Sequence, residues 1–313
     1  MVYAKICQVM KNIEFGNNQT FIESATPGQT INIGARLSDP LGFHGDKEVD
    51  DVVHFGNTFS PLIGVFDRQD LWPRSLEEQV KNGIVILEDH YQDAKKLMED
   101  INTLATRLVQ DDKLYDDLGF CTEYFNLAQR GYEMLRDHQS EFGFTSTQEA
   151  PVSLERAGLV TTRLSIGADT NAQVSNEVKV VTKRTHLIGD PPTDLTVTVK
   201  WRDKNDIGRI NGDTICLADF INPASGASAS AFLLSAHNRG SLPQTVNHRS
   251  ISVTQQGVLF IKDAFEKLGV KKVTFYSVGK ASELNDHYYL SGDRTVGDAG
   301  HVLRHFLPKW YSQ

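Results

Sequence analysis

The feature that most constrains this chain is an alternation that begins near Gln148. Apolar runs long enough for single strands are separated by stretches with helical spacing. The runs are EVKVVTK, LTVTVKW, DTICLAD, SISVTQ and KVTFYSV. The later ones are separated by the helical stretches ASAFLLSAHNRG, closed by Gly240, and LFIKDAFEKLG, closed by Gly269. A strand that rejoins its sheet after a helix has crossed over, and a crossover makes it parallel to its neighbour. The expected class is therefore α/β with a mostly parallel sheet, whose ligands bind beyond the carboxyl ends of the strands.

The chain before this point is written differently. Up to about Asn57 it consists of short β-type runs such as TFIES and TINIGARL, punctuated by Gly, Asn and Pro. His44, Asp46, Glu48, Asp50, Asp51 and His54 are ligand types for a metal, but a charge run in a polar loop is read as a solvated face. In WPRSLEEQ, Ser75 and Glu78 form a capping box that starts a helix. Ile84, Ile86, Leu87, Tyr91, Ala94, Leu97, Met98, Ile101, Leu104 and Leu108 then recur three and four apart as one apolar stripe. A second helix is expected from about Lys113 to His138, with Leu114, Leu118, Tyr124, Leu127, Tyr132 and Leu135 inward. The polar stretch Gly143 to Thr147 is the best boundary, giving an N-terminal extension over 1–145 and an α/β domain over 146–313. Two long apolar stripes should not stay wet, so capping or homodimer formation is expected of the extension.

Charge and cysteine usage exclude several partners. Lys and Arg number 32 against 40 Asp and Glu, and a net charge of -8 is opposite to what a nucleic-acid surface requires. Cys7, Cys121 and Cys216 have neither paired nor metal-type spacing, and the first residues lack the apolar run of a signal peptide or membrane span. The expectation is a reduced, cytoplasmic protein with no membrane partner.

The sharpest local pattern is DTICLADFINPASGASASAFLL: a buried strand ending at Asp219, a small-residue loop, and a helix beginning near Ser228. Small residues let backbone amides approach a phosphate, and a helix N-terminus adds N–H groups and a favourable dipole. Ser and Gly at such a turn are also ordinary capping chemistry. No Gly-Lys-Ser/Thr follows, so this is not a Walker loop, and GxGxxG spacing is absent.

The same stretch resembles the uracil phosphoribosyltransferase family, which has an apolar strand, an Asp, a short loop with Thr-Gly-Gly-Ser, and a helix. Three further stretches follow the family's order. APVSLERAGL resembles its Pro-Ile-Leu-Arg-Ala-Gly-Leu segment, with Arg156, Ala157, Gly158 and Leu159 matching; Lys183-Arg184 follows EVKVVT where the family has Tyr-Arg. Leu284, Asn285, Asp286, His287 and Tyr289, then Gly297, Asp298, Ala299 and Gly300, resemble its Leu-Asn-Glu-His-Gly-Tyr and Gly-Asp-Ala-Gly.

The resemblance implies a mostly parallel sheet of the type I phosphoribosyltransferase kind. It also implies transfer of phosphoribosyl from phosphoribosyl pyrophosphate to a pyrimidine or related heterocycle, releasing pyrophosphate. By it, Ser225, Gly226, Ala227 and Ser228 would cradle the 5'-phosphate, Asp219 would lie under the ribose hydroxyls, and Arg156 and Arg184 would grip pyrophosphate. Tyr289, Leu290, Gly297, Asp298, Ala299 and Gly300 would hold the acceptor, and Mg2+ would be held through the substrate rather than by protein ligands. The chain departs from the family where Phe220 replaces a Pro, where the segment from Tyr289 to Gly297 is longer and lacks Pro, and where His301 and Val302 replace Asp and Arg. These departures predict an acceptor other than uracil. They also keep open a second class, a ligand-sensing or structural protein that retains the fold without turnover.

Overall fold

The structure is a computed structural model. It describes the strand backbones at 15–16, 19–26, 29–37, 43–44 and 48–54, and residues 72–73, 75–143, 149–154, 157–171, 174–187, 194–221, 226–281 and 299–307. In chain order the strands are β1 (Phe15–Gly16), β2 (Gln19–Thr26), β3 (Gln29–Leu37), β4 (Phe43–His44), β5 (Glu48–His54), β6 (Ile84–Ile86), β7 (Glu149–Leu154), β8 (Val178–Leu187), β9 (Asp194–Trp201), β10 (Thr214–Ile221), β11 (Thr245–Val253) and β12 (Lys272–Lys280). The α-helices are α1 (Leu76–Asn82), α2 (Gln92–Gln110), α3 (Leu118–His138), α4 (Ala157–Ile166), α5 (Asn205–Arg209), α6 (Ala227–Asn238), α7 (Gln255–Leu268) and α8 (Ala299–Leu303).

The described strands form one sheet in the order β1-β2-β3-β5-β9-β8-β7-β10-β11-β12-β6, with β4 on β5. From β8 to β6 every neighbouring pair is parallel; β9, β5, β3, β2 and β1 continue the sheet in antiparallel fashion. The expected α/β class with a mostly parallel sheet in the second half of the chain is what forms. LTVTVKW is the exception to the alternation: β9 pairs antiparallel with β8, in register from Val180 opposite Trp201 to Leu187 opposite Asp194.

Each face of the sheet carries its own apolar layer. One is built with α6 and α7 around Leu217, Phe232, Val246, Ile261, Phe265 and Phe275. The other is built with α2, α3, α4 and α8 around Leu97, Ile101, Tyr124, Tyr132, Ile251 and Val302. Strand β6 shows why the parallel part reads as unbroken apolar text: Ile84 and Ile86 belong to the first layer and Val85 to the second.

That strand also corrects the expected helix. Ser75 does cap the helix, its side chain accepting from the Glu78 N–H at 3.2 Å. However, α1 stops at Asn82, where Gly83 takes the left-handed conformation, φ 67, that closes a helix. Ile84 to Ile86 then pair parallel with Phe275 to Ser277. Helical periodicity resumes in α2, which buries Ala94, Leu97, Met98, Ile101, Leu104 and Leu108 as expected. The second helix begins at Leu118, with Asp117 as its cap; Leu118 itself, expected inward, is exposed.

The acidic run before His54 is corrected too. Asp51 is buried and takes a two-pronged bond from Arg239, at 2.9 and 2.6 Å, while Ser235 donates to it and Trp201 donates to Ser235 at 2.7 Å. A buried carboxylate needs this pairing to offset its desolvation. The rest of the run's side chains lie outside the described residues.

Candidate functional site

The parallel strands fix where a site can be. From β7 the chain moves outward to β8, whereas from β10 it moves in the opposite direction through β11 to β12. The reversal between β7 and β10 is a topological switch point, with the helices that follow, α4 and α6, in opposite apolar layers; in parallel sheets such a point is where a crevice forms at the carboxyl end. In the chain, Arg156 falls between β7 and α4, Asp219 lies in β10 two residues before its end, and Gly226 caps the start of α6.

The ladder itself opens at this place. β10 pairs with β7 only as far as Leu217 opposite Val152, but with β11 as far as Ile221 opposite Ser252. The end of β10 has therefore lost one neighbour, and backbone groups in such a position need other partners. Side chains supply them. Thr161 of α4 donates to the Ala218 carbonyl at 3.0 Å, and the phenol of Tyr132 in α3 donates to the Asp219 carbonyl at 2.7 Å. Tyr132 is fully buried, and burial with the nearby Asp219 charge pushes its phenol well above the ordinary value, so it serves as a donor and not as an acid. Asp219 is half-buried and opposite Ser250, whose hydroxyl is buried without a partner among the described residues.

Helix α6 starts close by. Gly226 is its N-cap, in the left-handed region at φ 79, and as a glycine it supplies no side-chain cap of its own. Ala227 is buried and Ser228 half-buried. A Cβ on Gly226 would lie 2.9 Å from Cγ1 of Ile261 and 3.0 Å from Cδ1 of Phe260, so packing on α7 alone already demands glycine. A half-buried carboxylate and a helix start at the carboxyl edge of the sheet are of the kind that suits a ligand with both hydroxyls and an anionic group.

The other expected site residues are placed unevenly. Arg184 lies inside β8 opposite Val197, and the strand runs on to Leu187, so it does not follow the strand as the sequence suggests. Ala299 and Gly300 open α8, where Ala299 is buried with Val302 and Leu303 in the layer shared with α3. Arg156, Ser225, Tyr289, Leu290, Gly297 and Asp298 lie outside the described residues. His301, where the resemblance expects an acidic group, rests its ring 4.8 Å from that of Tyr115. Cys216 is buried and its thiol pushed up to about 11, mainly by desolvation, which leaves it a packing residue and no nucleophile.

Tyr132 and Thr161 are the contributors that the sequence reading missed. Tyr132 was assigned to packing alone, yet a tyrosine in a buried stripe carries a hydroxyl that needs a partner, and that was the available signal. Thr161 gave no signal of its own. Among the described residues no group of His, Cys, Asp and Glu forms a metal-binding cluster, and no helix is long and apolar enough to cross a membrane.

No protein-family model matches the chain, and no curated protein matches it. Among solved structures, the AQ2163 protein of Aquifex aeolicus aligns at 15% identity over 70% of this chain and 96% of that one, with a TM-score of 0.45. Adenine phosphoribosyltransferase of Saccharomyces cerevisiae, in complex with an imino-altritol bisphosphate and adenine, aligns at 12% identity over 50% of this chain and 80% of that one, with a TM-score of 0.29. Neither score is high enough to establish a shared fold.

Proposed function

We propose that the chain transfers a phosphoribosyl group from phosphoribosyl pyrophosphate, taken as its Mg2+ complex, to a pyrimidine or related heterocycle and releases pyrophosphate. The observation that carries this reading is the order in which the chain visits the switch point: Arg156 just after β7, Asp219 near the end of β10 where its pairing with β7 has stopped, and Gly226 to Ser228 at the start of α6. The sequence resemblance assigns chemistry to those same positions in the same order.

In this reading the helix start and Ser225 to Ser228 hold the 5'-phosphate, and Asp219 accepts hydrogen bonds from the ribose hydroxyls. Arg156 and Arg184 hold the leaving pyrophosphate as charge-assisted forks. Positive charge grows on the sugar as pyrophosphate departs, so placement of the anion and the carboxylate matters more than a strong base. Oxygen donors are what Mg2+ takes, and Asp219 is the described carboxylate at the crevice that suits its water shell. Tyr289, Leu290 and Gly297 to Gly300 select the acceptor. We place the enzyme in the cytoplasm, as a homodimer.

The second reading, a ligand-binding protein of this architecture without turnover, is favoured by one observation. His301 and Val302 are used in packing, Val302 being fully buried, where the resemblance expects charged residues. The test is pyrophosphate release from phosphoribosyl pyrophosphate and Mg2+ across a panel of bases. Turnover with any base, uracil being a poor one, supports transfer. Binding of phosphoribosyl pyrophosphate without release supports the second reading, and absence of both removes the site.

A further inference from the structure

The end of β10 is held from the opposite side of the sheet to α6, by a helix from far earlier in the chain. Tyr132 and Asp219 are 87 residues apart, and the phenol reaches the Asp219 carbonyl where the β7 ladder has already ended. One position before Tyr132, Gly131 brings the α3 backbone onto β11 so closely that a Cβ there would lie 2.4 Å from Cδ1 of Ile251. Beside it, Met98 of α2 lies so close to β12 that a Cβ on Gly279 would meet its Cγ at 2.4 Å. Ile251 and Gly279 both lie in the last third of their strands, so the two helices press on the carboxyl edge of the sheet, where the crevice opens.

A backbone carbonyl at a split ladder has two stable arrangements: bonded to a protein donor, or turned towards water. The donor's position decides where the residue sits, and the donor here rides on a helix fixed by glycine contact to the adjacent strand. Displacements of an ångström at a reacting centre cost large factors in rate and binding, so a rigid anchor has a direct functional consequence.

We infer that α3 is a strut that sets the position of Asp219, with Tyr132 as a positioning residue for the site. This rests on the proposed reading in which Asp219 faces the ribose. Thr161 supports the neighbouring carbonyl from α4, whereas Tyr132 ties the Asp219 carbonyl directly to a helix preceding position 145.

The test uses the full chain, with Tyr132→Phe to remove the donor and keep the ring, and Leu104→Ala as a control that loosens the same apolar layer at a distance from β10. Hydrogen exchange of the ligand-free protein reads the strut directly. Tyr132→Phe should speed exchange over Leu217–Ile221 by about tenfold relative to β12, the size expected for losing one buried hydrogen bond. Leu104→Ala should show no such local excess. Calorimetry with phosphoribosyl pyrophosphate and Mg2+ should show an affinity about tenfold weaker in Tyr132→Phe and changed by less than about twofold in Leu104→Ala. Exchange that rises evenly over the sheet, or not at all, overturns the strut, as does ligand affinity unchanged in Tyr132→Phe or weakened equally in the control. If the wild-type chain binds no phosphoribosyl pyrophosphate, the functional reading falls and the exchange comparison alone decides the inference.

Discussion

Gly226 carries two demands at once. Its φ of 79 suits glycine, and any Cβ would press on Ile261 and Phe260. A substitution here therefore disturbs the packing of α6 on α7 as well as any ligand at the helix start. Gly226→Ala should destabilise the protein by about 2 kcal/mol, from backbone strain together with overpacking, read as a lower denaturation midpoint. An unchanged midpoint would mean that α7 yields. His248 makes a different residue-level prediction. It is fully buried, stacked on Phe275 with ring centroids 4.7 Å apart, and neither ring nitrogen has a partner among the described residues. Desolvation pushes its pKa from 6.5 down to about 3. Between those values the unfolded chain binds a proton that the folded chain refuses, so stability falls as pH drops through the window and is fully present above it. The slope from this one residue should be on the order of 1 kcal/mol per pH unit. His248→Phe should have a flatter profile of stability against pH than wild type below about pH 6. Parallel profiles would show that the imidazole is solvated.

At the scale of elements, the contacts that matter most are those in which a helix touches the sheet through a missing side chain. Gly279 and Met98 make one of them, with Met98 Cγ and Sδ 2.4 and 2.8 Å from where a Cβ would stand. Gly279→Ala should cost about 1–3 kcal/mol by overpacking. Met98→Ala, which empties the same space, should lose stability alone but recover part of the Gly279→Ala loss in the double variant. Simple addition of the two losses in a double-mutant cycle would show that α2 moves off the sheet instead. These contacts explain what was legible in the sequence and what was not. Helix α2, the strands β10 and β12, and the helix stops at Gly240 and Gly269 follow from local periodicity and from glycine chemistry. Strand β6 was read as helix because Ile84, Ile86 and Leu87 extend the spacing of α2 backwards, and only pairing with β12, a distant segment, distinguishes the two. The antiparallel pairing of β9 with β8 is local, across the six residues 188–193, too few for a crossover helix; the pairing of β9 with β5, and the burial of Asp51 under Arg239, depend on partners remote in the chain.

For the whole molecule, the alternation of runs and helices made a mostly parallel sheet readable, but the strand order that locates the switch point was not, and Asp219, read as the last residue of its strand, stands two residues before the end of β10. What the sequence did not disclose is how the carboxyl edge is held, because a tyrosine in an apolar stripe looks like any other core residue until its hydroxyl finds a carbonyl 87 positions away. The same contact bears on how separable the two halves of the chain are. One apolar layer draws Leu97, Ile101 and Tyr124 from before position 145, and Val160, Ile251 and Val302 from after it. A chain consisting of 146–313 alone would keep only α4 and α8 on that face and forfeit roughly 1.5–3 kcal/mol for each large side chain that loses its cover from α2 and α3. Val160, Leu164, Ile251, Tyr276, Val278 and Val302 of the fragment belong to this layer, and six such residues approach the entire stability of a typical domain, about 5–15 kcal/mol. The fragment is therefore expected to retain far-ultraviolet dichroism, to lose a cooperative thermal transition, and to bind an apolar dye, the signs of a sheet without fixed packing. Adding 1–145 as a separate chain should restore the transition if the layer re-forms. A fragment that unfolds cooperatively without dye binding would show that the helices cover a domain already complete, and the strut at Tyr132 would then be an attachment to the site and not part of what builds it.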